Sequence, residues 1–218
     1  MKVGTDGVLL GAWANGGRHI LDIGTGTGVI ALMMAQRFPE AVVDAVDIDE
    51  NACEQARRNI AESPFVERIC VIDSDIQSLA QNPHFHARYD AVVSNPPFFE
   101  NALRAPGVER NRARHTDSLP FSDLFDAVRK LMSLEGRFSV IIPFDYKERL
   151  IDEANAAGFG LVESVAVCTI PGKRPKRFLL AFSLKVKEVI TKCSEQLLET
   201  QPGIRSPWYQ EITRDFYL

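Results

Sequence analysis

Residues 22–28 read Asp22-Ile23-Gly24-Thr25-Gly26-Thr27-Gly28, between an apolar run at 19–23 and an apolar helical pattern at 29–38. Glycine at alternate positions lets the backbone turn sharply and lets a ligand approach it closely. A strand that ends in such a turn and feeds a helix opens an α/β nucleotide-binding unit. The spacing departs by one residue from the dinucleotide pattern Gly-x-Gly-x-x-Gly. Taken alone, it also suits a tight structural turn.

The rest of the chain repeats the alternation. Strand-like runs at 41–48, 69–72, 89–94, 137–142 and 161–170 are separated by helical patterns at 50–62, 76–81, 120–133 and 146–157. Within 120–133, Leu124, Val128 and Leu131 keep an i, i+4, i+7 spacing. Such alternation predicts βαβ units and a parallel sheet. Near-continuous Val/Ile runs predict strands covered on both faces. Only 171–177 (Pro-Gly-Lys-Arg-Pro-Lys-Arg) separates the run at 161–170 from a last one at 178–186. A parallel crossover needs about a dozen residues, so the last strand is expected to run antiparallel to the one before it. The expectation is a Rossmann-like α/β fold: a seven-stranded sheet flanked by helices, with the last strand antiparallel. The 218 residues fit one domain spanning 1–218.

Two carboxylates extend the glycine turn into a candidate site. Asp47 ends the second strand, where α/β nucleotide folds place an acid that grips ribose hydroxyls. Asp75 follows the third strand, where it could accept from an adenine amino group. Asp49 reads as the cap of the next helix, and Asp73 as a surface residue. The fourth strand ends in Ser94-Asn95-Pro96-Pro97-Phe98-Phe99. Two prolines stiffen that turn and remove two backbone donors. The Pro96 carbonyl and the Asn95 side-chain oxygen are left as acceptors, beside the aromatic face of Phe98. That suits a planar substrate with an exocyclic NH2, whose nitrogen lone pair is delocalised into the ring. Two aligned acceptors would favour a more tetrahedral nitrogen and stabilise the positive charge that develops on it. With an activated donor, orientation is most of the remaining task.

These four motifs, in this order on these strand ends, resemble the class I S-adenosylmethionine-dependent methyltransferases. That resemblance implies S-adenosyl-L-methionine as the donor and a seven-stranded sheet with an antiparallel seventh strand. In the resembling families, Asn-Pro-Pro-Phe marks methylation of adenine in nucleic acid, of guanine in ribosomal RNA, or of the glutamine amide of release factors. A non-catalytic donor- or RNA-binding module is a further alternative, although both the glycine turn and Asn-Pro-Pro are intact.

The run Lys2-Val3-Gly4-Thr5-Asp6-Gly7 ahead of the glycine turn resembles the bacterial tRNA1(Val) adenine N6-methyltransferase family. So do Asn59-Ile60, Ser63-Pro64, Asp75-Ile76-Gln77, Ala113-Arg114, 177–183 (Arg-Phe-Leu-Leu-Ala-Phe-Ser) and the closing Phe216-Tyr217-Leu218. The resemblance implies methylation of the adenine beside the anticodon of a valine tRNA. It implies catalysis by Asn95, Pro96, Pro97 and Phe98. The implied donor site comprises Thr5, Asp6, Asp22, Gly24, Thr25, Gly26, Gly28, Asp47, Ile48, Asp75, Ile76 and Asn95, with entry to a helix as the alternative role of Thr5 and Asp6. Family members usually carry an aromatic-rich segment ahead of Lys-Val-Gly-Thr-Asp-Gly, whereas Met1 stands immediately before it here. Phe98 replaces the tyrosine of many relatives, which keeps stacking and removes a hydroxyl.

The 25 Lys and Arg against 29 Asp and Glu give a net charge of -4. Over the whole surface this argues against a dedicated nucleic-acid binder. Eight cations nevertheless fall in two loops expected beside the crevice: Arg104, Arg110, Arg112 and Arg114 after Phe98, and Lys173, Arg174, Lys176 and Arg177 before the last strand. Both are candidates for RNA phosphates, with Phe99 and His115 as candidate stacking partners. An anticodon loop would present the target base with little duplex to open. The four cysteines, Cys53, Cys70, Cys168 and Cys193, form no Cys-x-x-Cys pair and no metal-ligand spacing. Reduced thiols, no metal site, no membrane span, a cytoplasmic location and a monomer are the expectation. Cys70 and Cys168, inside apolar runs, are expected to be buried.

Overall fold

The computed structural model describes residues 4–97, 119–185 and 192–216. The described elements follow the chain as α1 (Thr5–Trp13), β1 (His19–Ile23), α2 (Val29–Arg37), β2 (Val42–Asp47), α3 (Glu50–Ala61), β3 (Ile69–Asp73), α4 (Ile76–Leu79) and β4 (Tyr89–Ser94). Then come α5 (Phe121–Leu131), β5 (Met132–Pro143), α6 (Lys147–Ala156), β6 (Gly160–Cys168), β7 (Arg177–Ser183), β8 (Lys192–Leu197), the small hairpin β9 (Glu199–Gln201) and β10 (Ile204–Arg205), and α7 (Pro207–Thr213).

The main sheet has the order β3-β2-β1-β4-β5-β7-β6-β8. β7 inserts between β5 and β6 and runs antiparallel to both, as the short connection requires. The expected seven strands become eight, because β8 adds to the edge parallel to β6. Its sequence, Lys-Cys-Ser-Glu-Gln-Leu, lacks an apolar run because an edge strand buries little. Parallel pairing of β1 with β2 and β4 and of β2 with β3 makes the first half a Rossmann-like unit.

Helices cover both faces. On one, α4, α5 and α6 bury Leu79, Leu124, Phe125, Val128, Leu131 and Leu150 against the sheet. The predicted i, i+4, i+7 row of α5 is therefore its core stripe. Phe125 meets Phe138 and Phe182 edge-to-face at 5.5 and 5.4 Å. On the other face, α1, α2, α3 and α7 pack Leu9, Leu10, Met34, Ala56, Ile60 and Tyr209 over β1, β2, β4 and β7.

Beyond Thr5 and Asp6 at its entry, helix α1 has little signature in the sequence, because two of its residues are glycine, which disfavours helix, and its apolar residues show no face. Packing explains it. A Cβ at Gly11 would stand 2.8 Å from Met33 Sδ, so the glycine lets α1 lie close on α2. Arg37 of α2 then donates to the carbonyls of Gly11 and Ala14, each at 2.8 Å. Ser206 caps α7 by accepting from the Tyr209 amide at 3.0 Å.

The expected burial of Cys70 is wrong: it is exposed, while Cys53 and Cys168 are buried. β3 is the outer strand of the sheet, so only part of its apolar run finds a helix to cover it. Among the described residues, no helix is long and apolar enough to cross a membrane.

Candidate active site

The register of the first four strands brings their C-terminal ends level. Ile23 is opposite both Val46 and Ser94, and Asp47 is opposite Asp73. Gly24, Ile48, Asp75 and Asn95 therefore leave the sheet along one edge. Between β1 and β4 the strand order reverses, which in open α/β sheets is where ligands bind.

The glycine turn is fixed by carboxylates and carbonyls. The amides of Gly24 and Thr25 both donate to the Val46 carbonyl, at 2.9 and 3.1 Å. Gly24 and Gly26 adopt φ of +70° and +56°, conformations that side chains with a Cβ rarely accept. A Cβ added at either would meet nothing within 4 Å. Backbone conformation, not crowding, demands glycine there, and the space above the turn is open to a ligand.

Asp22 lies beneath the turn with no solvent exposure. Its Oδ2 accepts from the Thr25 hydroxyl at 2.6 Å and the Ala31 amide at 3.1 Å. Its Oδ1 has no hydrogen-bond partner among the described residues. Burial, only partly offset by those two donors, pushes its carboxyl up to about 7. Asp22 thus shapes the turn from inside. Asp47 holds it from outside, its Oδ2 accepting from the Gly26 amide at 2.8 Å and its Oδ1 from the Asp49 amide at 3.0 Å. A carboxylate has about four lone-pair sites, so both oxygens keep capacity for ribose hydroxyls. Ile48 beside it is 49% exposed, an apolar ledge at the same rim.

Asp75 caps α4, accepting from the Ser78 amide and hydroxyl, each at 2.7 Å. These bonds hold its carboxyl below the ordinary range, so it stays an acceptor at neutral pH. Ile76 is buried and belongs to the core under α4 and α5. Asp49 is the cap of α3, accepting from the Asn51 amide at 2.9 Å.

Asn95 is half-buried, Pro96 buried and Pro97 exposed. They are anchored through Ser94, whose hydroxyl donates to the Ile23 carbonyl at 3.0 Å. That bond ties the end of β4 to the end of β1, so the acceptor pair stands one strand from the glycine turn. Thr5 and Asp6 occupy the first turn of α1, with Gly7 next to Ile30 of α2. They sit over the helix that the glycine turn opens. Asp6 Oδ1 lies 2.6 Å from Arg177 Nη1, at the start of β7. Burial raises the Asp6 carboxyl and the arginine charge pulls it back.

Of the two basic clusters, the second emerges at this edge. Lys173, Arg174 and Lys176 are exposed on the β6–β7 turn. Arg177, by contrast, is engaged with Asp6. Phe98, Phe99, Arg104, Arg110, Arg112, Arg114 and His115 lie outside the described residues.

The supporting roles of two residues escaped the sequence reading. Ser94 looks like any strand residue until its hydroxyl finds Ile23. Asn59 donates from Nδ2 to the Thr27 carbonyl at 2.8 Å, which ties α3 to the glycine turn. An amide group on the sheet side of an amphipathic helix, next to the buried Ile60, was the available signal.

A family model described as methyltransferase small domain matches residues 4–111. The tRNA1(Val) (adenine(37)-N6)-methyltransferase of Phocaeicola vulgatus is 48% identical over 220 residues, covering 100% of this chain and 91% of that one. The protein of the same name from Yersinia enterocolitica is 40% identical, covering 100% of this chain and 86% of that one. Among solved structures, a predicted O-methyltransferase from Agrobacterium tumefaciens aligns with a TM-score of 0.75 at 20% identity, covering 96% of each chain. A SAM-dependent methyltransferase from Aquifex aeolicus aligns with a TM-score of 0.57 at 14% identity, covering 80% of this chain and 86% of that one. These two likenesses show the fold.

Proposed function

The chain belongs to the tRNA1(Val) (adenine(37)-N6)-methyltransferase family, and from that premise we propose that it methylates the exocyclic amino group of the anticodon-loop adenine of a valine tRNA. The observation that carries the chemistry is the Ser94–Ile23 bond, which holds Asn95 and Pro96 one strand from the glycine turn.

The residues fit S-adenosylmethionine as donor. The open glycine turn accepts close approach, Asp47 has lone pairs for ribose hydroxyls, and Asp75 is an ionised acceptor for an amino group. Ile48 offers an apolar ledge. Thr5 and Asp6 close the methionine end from α1, and Asp22 acts by keeping the turn in shape. The bound donor supplies a methyl group already activated by a sulfonium. The Asn95 side-chain oxygen and the Pro96 carbonyl accept the two hydrogens of the target amine. This aims the nitrogen lone pair and offsets the charge that develops as the N–C bond forms. No strong base is needed: after transfer, the nitrogen is acidic enough to lose a proton to water along those acceptors. Pro97 stiffens the turn, and Phe98 supplies a stacking face for the adenine.

Lys173, Arg174 and Lys176 are the phosphate contacts among the described residues, and the sequence adds Arg104, Arg110, Arg112 and Arg114 as further candidates. The protein acts as one domain and a monomer, in the cytoplasm where tRNA is found. Incubation with labelled S-adenosylmethionine and separate pools of tRNA, ribosomal RNA, DNA and release factor tests the reading. Label is expected in tRNA, at an adenine amino group. Label only in ribosomal RNA or in protein overturns it.

A further inference from the structure

At the end of β5 the chain turns out of the sheet through Pro143-Phe144-Asp145, facing the β6–β7 turn. Together they enclose an open basin of about 500 Å3 lined by Phe144, Asp145, Lys173, Arg174 and Lys176 among others. Its size is within the usual range for small-ligand sites. The Phe144 ring is held in place. Its amide donates to the Lys176 carbonyl at 3.0 Å, and the ring packs against Phe178 with centroids 5.8 Å apart. The Arg174 guanidinium lies 5.5 Å from the Phe144 centroid. Phe144 is 37% exposed, more than any other Phe, Tyr or Trp among the described residues.

We infer that this basin is a second nucleotide subsite, in which Phe144 and Arg174 stack the base next to the methylated adenine in the RNA. The inference rests on the function proposed above and adds a residue and a subsite to it. Three observations carry it. An aromatic face paired with a guanidinium is what unpaired RNA bases stack on. Lys173, Arg174 and Lys176 outnumber the single acid Asp145, so the basin suits a phosphodiester. Asp145 supplies an acceptor for a base amino group. The position also fits. β5 is the neighbour of β4, and Ser94 is opposite Val140. β5 ends at Pro143, three residues past Val140 and about 10 Å further out at strand rise, and Phe144 follows it at the strand-end edge. A target base drawn inward to Asn95 would leave its neighbour at that edge.

The test compares Phe144→Leu and Phe144→Trp in the full chain, using a full-length valine tRNA transcript. A second transcript lacks the base on one side of the target adenine, and a third lacks the base on the other. Phe144→Leu is expected to raise KM for tRNA about tenfold or more, as loss of one stacked base does. Its kcat and S-adenosylmethionine affinity should be unchanged, and Phe144→Trp should keep the wild-type KM. One of the abasic transcripts should impose the same loss on the wild type and none further on Phe144→Leu. An unchanged KM in Phe144→Leu, or losses that multiply with both abasic transcripts, overturns the subsite and leaves the function standing. A wild-type protein that methylates no tRNA overturns the function, and the subsite with it.

Discussion

The two halves of the strand-end edge are built by opposite means. Over β3, β2 and β1, carboxylates are bonded to the backbone they organise: Asp22 to Ala31, Asp47 to Gly26 and Asp75 to Ser78. Over β5, β7 and β6, exposed cations flank an aromatic ring, and the arginine nearest the first half, Arg177, is committed to Asp6. In the proposed reading the first half takes a small-molecule donor, and its polar groups are already placed by the backbone they bond. In the same reading the second half meets a polyanion, whose phosphates tolerate adjustable partners and whose attraction is screened by salt. Ile48 and Phe144, both exposed, mark the two halves with an aliphatic ledge and an aromatic one.

The junction between the halves should give the largest effect. Asn95→Ala should lower kcat by about 10^3-fold, as expected for a group that stabilises developing charge. Donor affinity measured by calorimetry should stay nearly intact. Loss of donor affinity instead would place Asn95 in the donor half and blur the division.

Asp22 tests the preorganisation of the first half. With its folded value near 7 and an unfolded value near 3.9, the folded state binds one proton more than the unfolded state across that window. The contribution of Asp22 to stability should therefore be fully present below about pH 4 and fall as pH rises to about 7, by a few kcal/mol at about 1.4 kcal/mol per pH unit. Urea titrations of the wild type and Asp22→Asn at several pH values check this. The asparagine variant should lack that part of the slope. Equal slopes would mean that Asp22 is ionised throughout.

Charge reversal at Lys173, Arg174 and Lys176 probes the second half. The slope of log affinity for tRNA against log salt should flatten by about 2, the share of three phosphate contacts to single-stranded RNA. S-adenosylmethionine binding should not change. An unaltered salt slope would make the β6–β7 turn a bystander. Asn59→Ala should have the smallest effect. It removes one hydrogen bond to the glycine turn, costs about 1 kcal/mol of stability and weakens the donor a few-fold, with no change in the tRNA salt slope.

The legibility of the two halves differs for the same reason. The glycine turn, Asp47 and Asp49 act within a few residues of their own strand ends, so local spacing reveals them. The antiparallel β7 was legible too, because seven residues cannot make a parallel crossover. The eighth strand was not, since Lys192–Leu197 buries little and shows no apolar alternation. Cys70 was misplaced because an apolar run does not say whether its strand is central or at an edge. Helix α1, with glycine at 7 and 11, makes sense only against Met33.

By itself, the sequence determined the α/β class, the direction of β7, the glycine turn with its acids, and the place of Asn-Pro-Pro at the end of β4. Each leaves a local mark in the chain: a glycine spacing, a loop length, or an acid or proline at the end of a strand run. Only the tertiary structure decided that Arg177 pairs with Asp6, that Ser94 ties β4 to β1, and that Phe144 shares a basin with Arg174. Those partners are 171, 71 and 30 residues apart, and no local propensity encodes a contact that only the stacking order of the strands creates.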